Sequence, residues 1–298
     1  MAMTARPEIS SGQLDDALLE TTGSRMWRRF WGEPLSIAGV AILAFLVAFC
    51  FLGPLVWRVN PTYPYILHTM SPPSAQFPLG TDGLGHDQLS SLMIGGQISL
   101  EVGFAAAVVS MVIGTVYGMI SGLVGGSVDM VMMRIVDVLL SLPTIFLLLF
   151  LDATFQPSAI LLVVVLSSVS WFGVSRLVRA EVLSIKEREY VEAARALGAS
   201  PWRIMRRQLV PNFLGTVLVA GTFQIADSIL GLAGLSFLGL GLPPPNPNWG
   251  ATLSTGMSSI FQNAYWLIYP AGVCILLVEL AVNFIGDGMR AAFDTQLK

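Results

Sequence analysis

Residues 187–211 read EREYVEAARALGASPWRIMRRQLVP and hold the most informative local pattern in the chain. The first half is rich in Glu, Ala, Arg and Leu, which favour a helix, and Gly198 suits the left-handed position that follows a helix end. Ser200 is a good N-cap and Pro201 a good first residue for a second helix, which we expect to end before Pro211. The stretch predicts a helix–turn–helix bracket.

Long apolar runs flank this bracket. Of the 298 residues, 54% are hydrophobic and only 12% are charged, the mean hydropathy is +0.71, and soluble domains carry about 25% charge. This composition excludes disorder, a secreted disulfide scaffold and an ordinary cytosolic enzyme, and it predicts an all-α integral membrane protein. Six transmembrane helices are expected, at residues 34–57, 102–128, 131–151, 153–175, 212–235 and 266–285.

The basic residues orient these helices. With both termini in the cytoplasm, fifteen of the sixteen lysines and arginines lie on the cytoplasmic side and only Arg58 lies outside, as the positive-inside rule requires. The expected segments are a cytoplasmic tail (1–33), a first helix (34–57), an extracytoplasmic loop (58–97), a core (98–287) containing a cytoplasmic loop (179–211), and a cytoplasmic tail (288–298). A second outer segment, 236–265, contains four prolines at 243–247, which cannot be helical.

Motifs for catalysis or metal binding are absent from the sequence. His68 and His86 lack metal-site spacing, and Cys50 and Cys274 lie in apolar runs, where we expect them to pack as small hydrophobic residues. Neither lysine follows a glycine, so the chain has no ATP-binding P-loop. We therefore expect no catalytic residue, no metal and no cofactor in this chain, and the net charge of −3 suggests no nucleic-acid partner.

Two interpretations of the bracket remain open from its residues alone. Val191 and Ala194 recur at helical spacing, so we expect them on one face, which Leu197 or Gly198 continues. The bracket either lies on anionic lipid through its arginines or docks a cytoplasmic partner that approaches closely at Ala193 and Ala194.

The sequence Glu192-Ala193-Ala194, with Gly198 four residues further on, resembles the EAA loop of bacterial binding-protein-dependent ABC importer permeases. Other segments resemble the second permease subunit of dipeptide, oligopeptide and nickel importers, and the similarity covers about residues 28–294. These segments are 79–82, 85–90, 129–143, 235–250 and 283–290. His86 stands where the family usually has an arginine, a departure that bears on the substrate.

The resemblance implies the type I ABC importer permease fold, and it implies that Glu192, Ala193, Ala194 and Gly198 form a coupling helix seated in a cytoplasmic ATPase. The implied partners are a homologous second permease, two ATP-binding subunits that carry ATP and magnesium, an extracytoplasmic peptide-binding protein and the lipid of the bacterial inner membrane. The chain would be a non-catalytic half of a peptide pathway. Dipeptides, longer peptides, glutathione and nickel complexes stay open as substrates.

Acidic residues interrupt the apolar runs. A charge at the bilayer centre costs about 2.5–3.5 kcal/mol on insertion scales, so Asp137, Asp227 and Glu279 are candidates for lining a pathway. For Asp137 and Glu101, near predicted helix ends, a cap or an interhelical contact is the favoured alternative. Asp227 and Glu279 also permit a second function, an autonomous ion-coupled carrier, although the sequence shows no inverted repeat of the kind that many such carriers contain.

Small residues recur on the second predicted helix. Gly114, Gly118 and Gly122 are spaced by four, which places them on one face. Such a face predicts close packing of another helix.

Overall fold

The computed structural model describes residues 22–155, 158–243 and 246–293, and this part of the chain is mostly helical. The α-helices in chain order are α1 (Thr22–Gly32), α2 (Pro34–Val56), α3 (Gln88–Val124), α4 (Gly126–Leu140), α5 (Thr144–Thr154), α6 (Ala159–Lys186), α7 (Glu189–Ala196), α8 (Pro201–Ile204), α9 (Val210–Phe237), α10 (Trp249–Ser258) and α11 (Tyr269–Phe293). Three short 3-10 turns lie at Ile66–His68, Ile260–Gln262 and Tyr265–Leu267.

Five stretches of helix are long and apolar enough to cross a membrane, and α4 with α5 makes a sixth. The count of six is confirmed, but the expected straight helix over 131–151 is wrong. The chain bends by 82° between α4 and α5, because Pro143 lacks an N–H and disfavours helical backbone at the residue before it.

The second span begins earlier than the uncharged run that predicted it. Helix α3 starts at Gln88, fourteen residues before residue 102, and Asp87 caps it by accepting a hydrogen bond from the Ser90 backbone N–H at 3.2 Å. The expected outer loop to residue 97 is shortened accordingly. Glu101 lies inside the helix, because a single charge does not end a helix whose backbone hydrogen bonds continue.

The cytoplasmic loop is also shorter than expected. Helix α6 runs on to Lys186, so Arg179 belongs to a helix and not to the loop 179–211, and Arg176, which follows the expected span 153–175, lies in the same helix. At its end, Lys186 donates hydrogen bonds to the carbonyls of Gly122 and Leu123 at 3.3 and 3.0 Å. These bonds satisfy the free carbonyls at the end of α3 and bring the ends of the two helices together.

Pro211 does not end the helix of the bracket. Helix α8 passes through a wide π turn, Met205–Leu209, directly into α9. Within this turn the Val210 N–H bonds the Met205 carbonyl, and the Asn212 side chain donates to the Gln208 carbonyl at 2.5 Å. Because a proline breaks the usual hydrogen-bond ladder, the π turn absorbs the disruption locally and the span continues.

The predicted glycine face is confirmed as a packing surface between α3 and α6. A Cβ added at Gly114 would lie 2.6 Å from Val174 Cβ, one at Gly118 would lie 2.3 Å from the Ser175 carbonyl oxygen, and one at Gly122 would lie 2.7 Å from a Val182 methyl. The two helices therefore touch backbone to backbone along this face.

Helix α10 lies in the segment 236–265, which was expected to be an outer loop. Asn248 caps it by accepting from the Ala251 N–H at 2.9 Å, and Trp249 is fully buried with its indole N–H on the Leu92 carbonyl at 3.0 Å. The segment is therefore partly core. The expected break at 243–247 is seen at Pro243 and 246–247, whereas Pro244 and Pro245 lie outside the described residues.

Candidate coupling surface and pathway residues

The bracket has the local geometry expected of it. Helix α7 is followed by Gly198 with φ +81°, and the Ala199 N–H bonds back to the Ala194 carbonyl at 3.0 Å. Ser200 caps α8 by accepting from the Arg203 N–H at 3.4 Å, and Pro201 is the first residue of α8. The turn is thus held by the backbone and the cap.

One side chain anchors the bracket to the bundle. Val191 is fully buried in a cluster that also contains Ile185 of α6 and Ile204 of α8. Ala194 is half-buried. Leu197, expected as one option to continue this inner face, instead points outward with 88% of its surface exposed. The inner face therefore rests mainly on Val191.

The outer side of the bracket is an exposed surface of mixed chemistry. Glu192, Ala193 and Gly198 are exposed, and a Cβ at Gly198 would meet no atom within 4 Å. Leu197 and Trp202, which is 67% exposed, add large apolar area beside them. We call these five residues, together with Ala194, the coupling surface. Sequence reasoning missed Leu197 and Trp202 as members, although an apolar residue at the turn of a polar loop is a usable signal.

The pathway candidates lie in two places. Asp227 on α9 is exposed, and its charge interacts with that of Glu279 on α11. Glu279 is half-buried, and its Oε1 has no hydrogen-bond partner within the described chain. Asp137 lies apart from both, on α4, where it forms an ion pair with Arg176 of α6.

A second ion pair joins the same two helices. Arg179 donates from Nε and Nη2 to the two carboxylate oxygens of Asp129, each at 2.5 Å, and the Ser121 hydroxyl also bonds this carboxylate. Sequence reasoning missed this pair because Arg179 was assigned to the loop.

The outer end of the bundle carries a buried carboxyl group. Asp87 Oδ2 accepts from the Trp57 indole N–H at 2.6 Å, and burial raises the pKa of Asp87 above its usual value. Nearby, His86 has Nδ1 2.9 Å from Asp82 Oδ2, and its backbone N–H donates to Asp82 Oδ1 at 2.7 Å. His86 therefore closes the turn before α3.

No group of three or more metal-ligating side chains occurs within residues 22–155, 158–243 and 246–293. Both cysteines are free and buried.

Comparison with known protein families identifies the family of this chain. Residues 114–298 match the family described as "Binding-protein-dependent transport system inner membrane component". The chain belongs to this family. Residues 21–74 match a second family, the N-terminal TM domain of oligopeptide transport permease C. The permease is therefore a multi-pass inner-membrane protein.

Named relatives align over nearly their whole length. The oligopeptide transport system permease protein OppC of Escherichia coli K12 is 39% identical over 93% of this chain and 93% of its own. The dipeptide transport system permease protein DppC of Bacillus subtilis is 36% identical over 91% and 85%. The di/tripeptide transport system permease protein DppC of Pseudomonas aeruginosa is 34% identical over 91% of each.

A solved structure shows the fold. A chain of the MetNI methionine ABC transporter in inward-facing conformations matches with a TM-score of 0.57, at 23% identity, over 68% of this chain and 96% of its own. The predicted type I ABC importer permease fold is confirmed. The family and these relatives support an importer permease and not an ion-coupled carrier.

Proposed function

We propose that this permease is one of two similar permease subunits of an ATP-driven importer and forms half of its pathway for peptides. The names of the relatives support peptides as the substrate class. The coupling surface is the observation that carries the proposal, because exposed Leu197 and Trp202 beside exposed small residues form a contact surface with no covering element in the described chain.

In this proposal Glu192, Ala193, Ala194 and Gly198 contact a cytoplasmic ATP-binding subunit. Two such subunits bind ATP and magnesium and hydrolyse ATP, since this chain has no P-loop lysine. Their closure moves the bracket, and Val191 transmits the displacement into the bundle because it is packed against α6 and α8. Such a change is a rigid-body switch between two packed states.

An extracytoplasmic peptide-binding protein delivers the substrate in this proposal. Asp227 and Glu279 line the pathway, because two neighbouring carboxyl groups within spans are costly unless they face water or protein. Asp227→Asn and Glu279→Gln should lower peptide uptake while the transporter still assembles. Wild-type uptake in both variants would remove these residues from the pathway.

The first test is extraction of the intact complex from native membranes in mild detergent, followed by identification of the proteins that co-purify. We expect a P-loop ATPase and a second, similar permease, and we expect uptake to stop when ATP is depleted. Recovery of the permease alone, with uptake that survives ATP depletion but stops when an ionophore collapses the ion gradient, would contradict the proposal.

A further inference from the structure

The ion pair between Asp137 and Arg176 is open to its surroundings. Arg176 Nη2 donates to Asp137 Oδ1, and the Arg176 and Asp137 side chains are 50% and 46% exposed respectively. Within the described chain this is the single hydrogen bond of either side chain. A guanidinium has five N–H donors and a carboxylate has two acceptor oxygens, so both groups keep unused bonding capacity.

The neighbouring pair of Asp129 and Arg179 is built differently. It is two-pronged, it includes the Ser121 hydroxyl, and only 15% of Asp129 and 32% of Arg179 is exposed. The pair of Asp129 and Arg179 already holds α4 against α6. The pair of Asp137 and Arg176 joins the same two helices through one hydrogen bond and is far more exposed, so its groups can also bond a molecule that reaches this face.

The pair of Asp137 and Arg176 lies within the spans and not at their ends. Arg176 is ten residues from Lys186, so it lies about 15 Å along α6 from the helix end that meets the end of α3. The exposed side chains beside Asp137 include the apolar Ile135 and Val138 and also Arg134, about one helical turn earlier on α4. Charged groups turned toward lipid are costly, so this face of the helix pair meets water or protein.

We propose that Asp137 and Arg176 form a site in the pathway that contacts the two charged ends of a passing peptide. The carboxylate of the peptide bonds Arg176 through the planar guanidinium fork, and its ammonium group bonds Asp137. This inference rests on the proposed function. A zwitterion matches the site because each charge meets its opposite, whereas an ion of a single charge meets repulsion from one partner.

The ion pair between Asp137 and Arg176 is the state of the site when no peptide is bound. Between peptides, Asp137 and Arg176 neutralise one another across the α4–α6 contact. A peptide enters by exchanging one ion pair for two, which keeps the number of opposite-charge contacts from falling.

The test uses the complete transporter with its binding protein in proteoliposomes. Arg176→Cys and Asp137→Cys are made singly and treated with a charged, water-soluble thiosulfonate. The native Cys50 and Cys274 are buried and give little background. Val178→Cys is the matched negative control, because Val178 lies two residues further along α6 and is fully buried.

We expect both introduced cysteines to react and the control to stay unmodified. Trialanine supplied with the binding protein and ATP should slow the reaction several-fold. Arg176→Gln and Asp137→Asn should each lower trialanine uptake about tenfold with normal assembly, as the loss of one charge-assisted hydrogen bond predicts. Asp129→Asn should instead lower recovery of the assembled transporter.

Two results would overturn the site while leaving the proposed function intact. One is a lack of reaction at the cysteines introduced at positions 137 and 176, or reaction that trialanine does not slow, while the wild-type transporter imports trialanine. The other is wild-type uptake by both Arg176→Gln and Asp137→Asn. If the wild-type complex imports no peptide with ATP, the proposed function fails and the site fails with it.

Discussion

Gly198→Ala tests the coupling surface through the backbone of its turn. Gly198 has φ +81°, and a Cβ there would meet no atom within 4 Å. The cost within this chain is therefore the left-handed backbone alone, about 1–2 kcal/mol for a residue with a Cβ. A cost of that size lowers the population of the native turn, relative to its alternatives, by about 5- to 30-fold.

The variant Gly198→Asn separates the effect of backbone strain from the effect of an added side chain. Because Asn tolerates left-handed backbone better than Ala, Gly198→Asn should be the milder change although its side chain is larger. We expect peptide uptake and peptide-stimulated ATPase activity of the reconstituted transporter to rank wild type, then Asn, then Ala.

A matched control shows whether the effect depends on the position of the substituted glycine. Gly126 also has a positive φ, +55°, and open space around its Cβ position, but it is the first residue of α4 and is not one of the residues of the coupling surface. Gly126→Ala should cost similar thermal stability and leave ATPase activity coupled to uptake. Gly198→Ala with normal coupling would refute the reasoning, and so would a Gly198→Asn that is as harmful as Gly198→Ala.

Three further predictions concern packing, pH and the coupling surface. Gly118→Ala should lower the melting temperature of the permease in detergent, because its Cβ would lie 2.3 Å from a backbone oxygen and overpacking costs about 1–3 kcal/mol. The control Gly173→Ala lies on the same helix pair but in open space, and it should leave the melting temperature unchanged. The raised pKa of Asp87 means that the folded state holds this proton to higher pH than the unfolded state, so stability should fall as pH rises from about 4 toward the folded pKa. Asp87→Asn should flatten this part of the plot of melting temperature against pH. An unchanged slope in that plot would contradict the assignment. Leu197→Ser should weaken ATPase recovery in co-purification without lowering the melting temperature of the permease. Val191→Ser, at a buried position, should lower that melting temperature. The reverse pattern would place Leu197 in the core.

Several features of the site were legible in short windows of sequence. The cap at Ser200 and the left-handed turn at Gly198 follow from preferences of single residues at helix ends, and the structure has both. The glycine face of α3 followed from a spacing of four residues. Each of these signals is local, so it does not depend on where the rest of the chain folds.

Other features depended on partners far along the chain. Arg176 and Arg179 looked like loop residues until they met Asp137 and Asp129, which are 39 and 50 residues away. Rules based on uncharged runs place such charges outside the span, because they score each charge as if it were alone. Pairing lowers the cost of keeping a charge inside a helix bundle, and a linear count of charges does not register it.

The sequence by itself determined the membrane class, the six spans, the orientation expected from basic residues and the bracket, because hydropathy and capping act within one or a few helical turns. Only the tertiary structure decided that the third span breaks at Pro143 with an 82° bend, that a π turn carries the chain past Pro211, and that Trp249 is core. It also decided which charged side chains meet. These outcomes depend on which surfaces pack together, and the free energy of that packing belongs to pairs of segments and not to either segment alone.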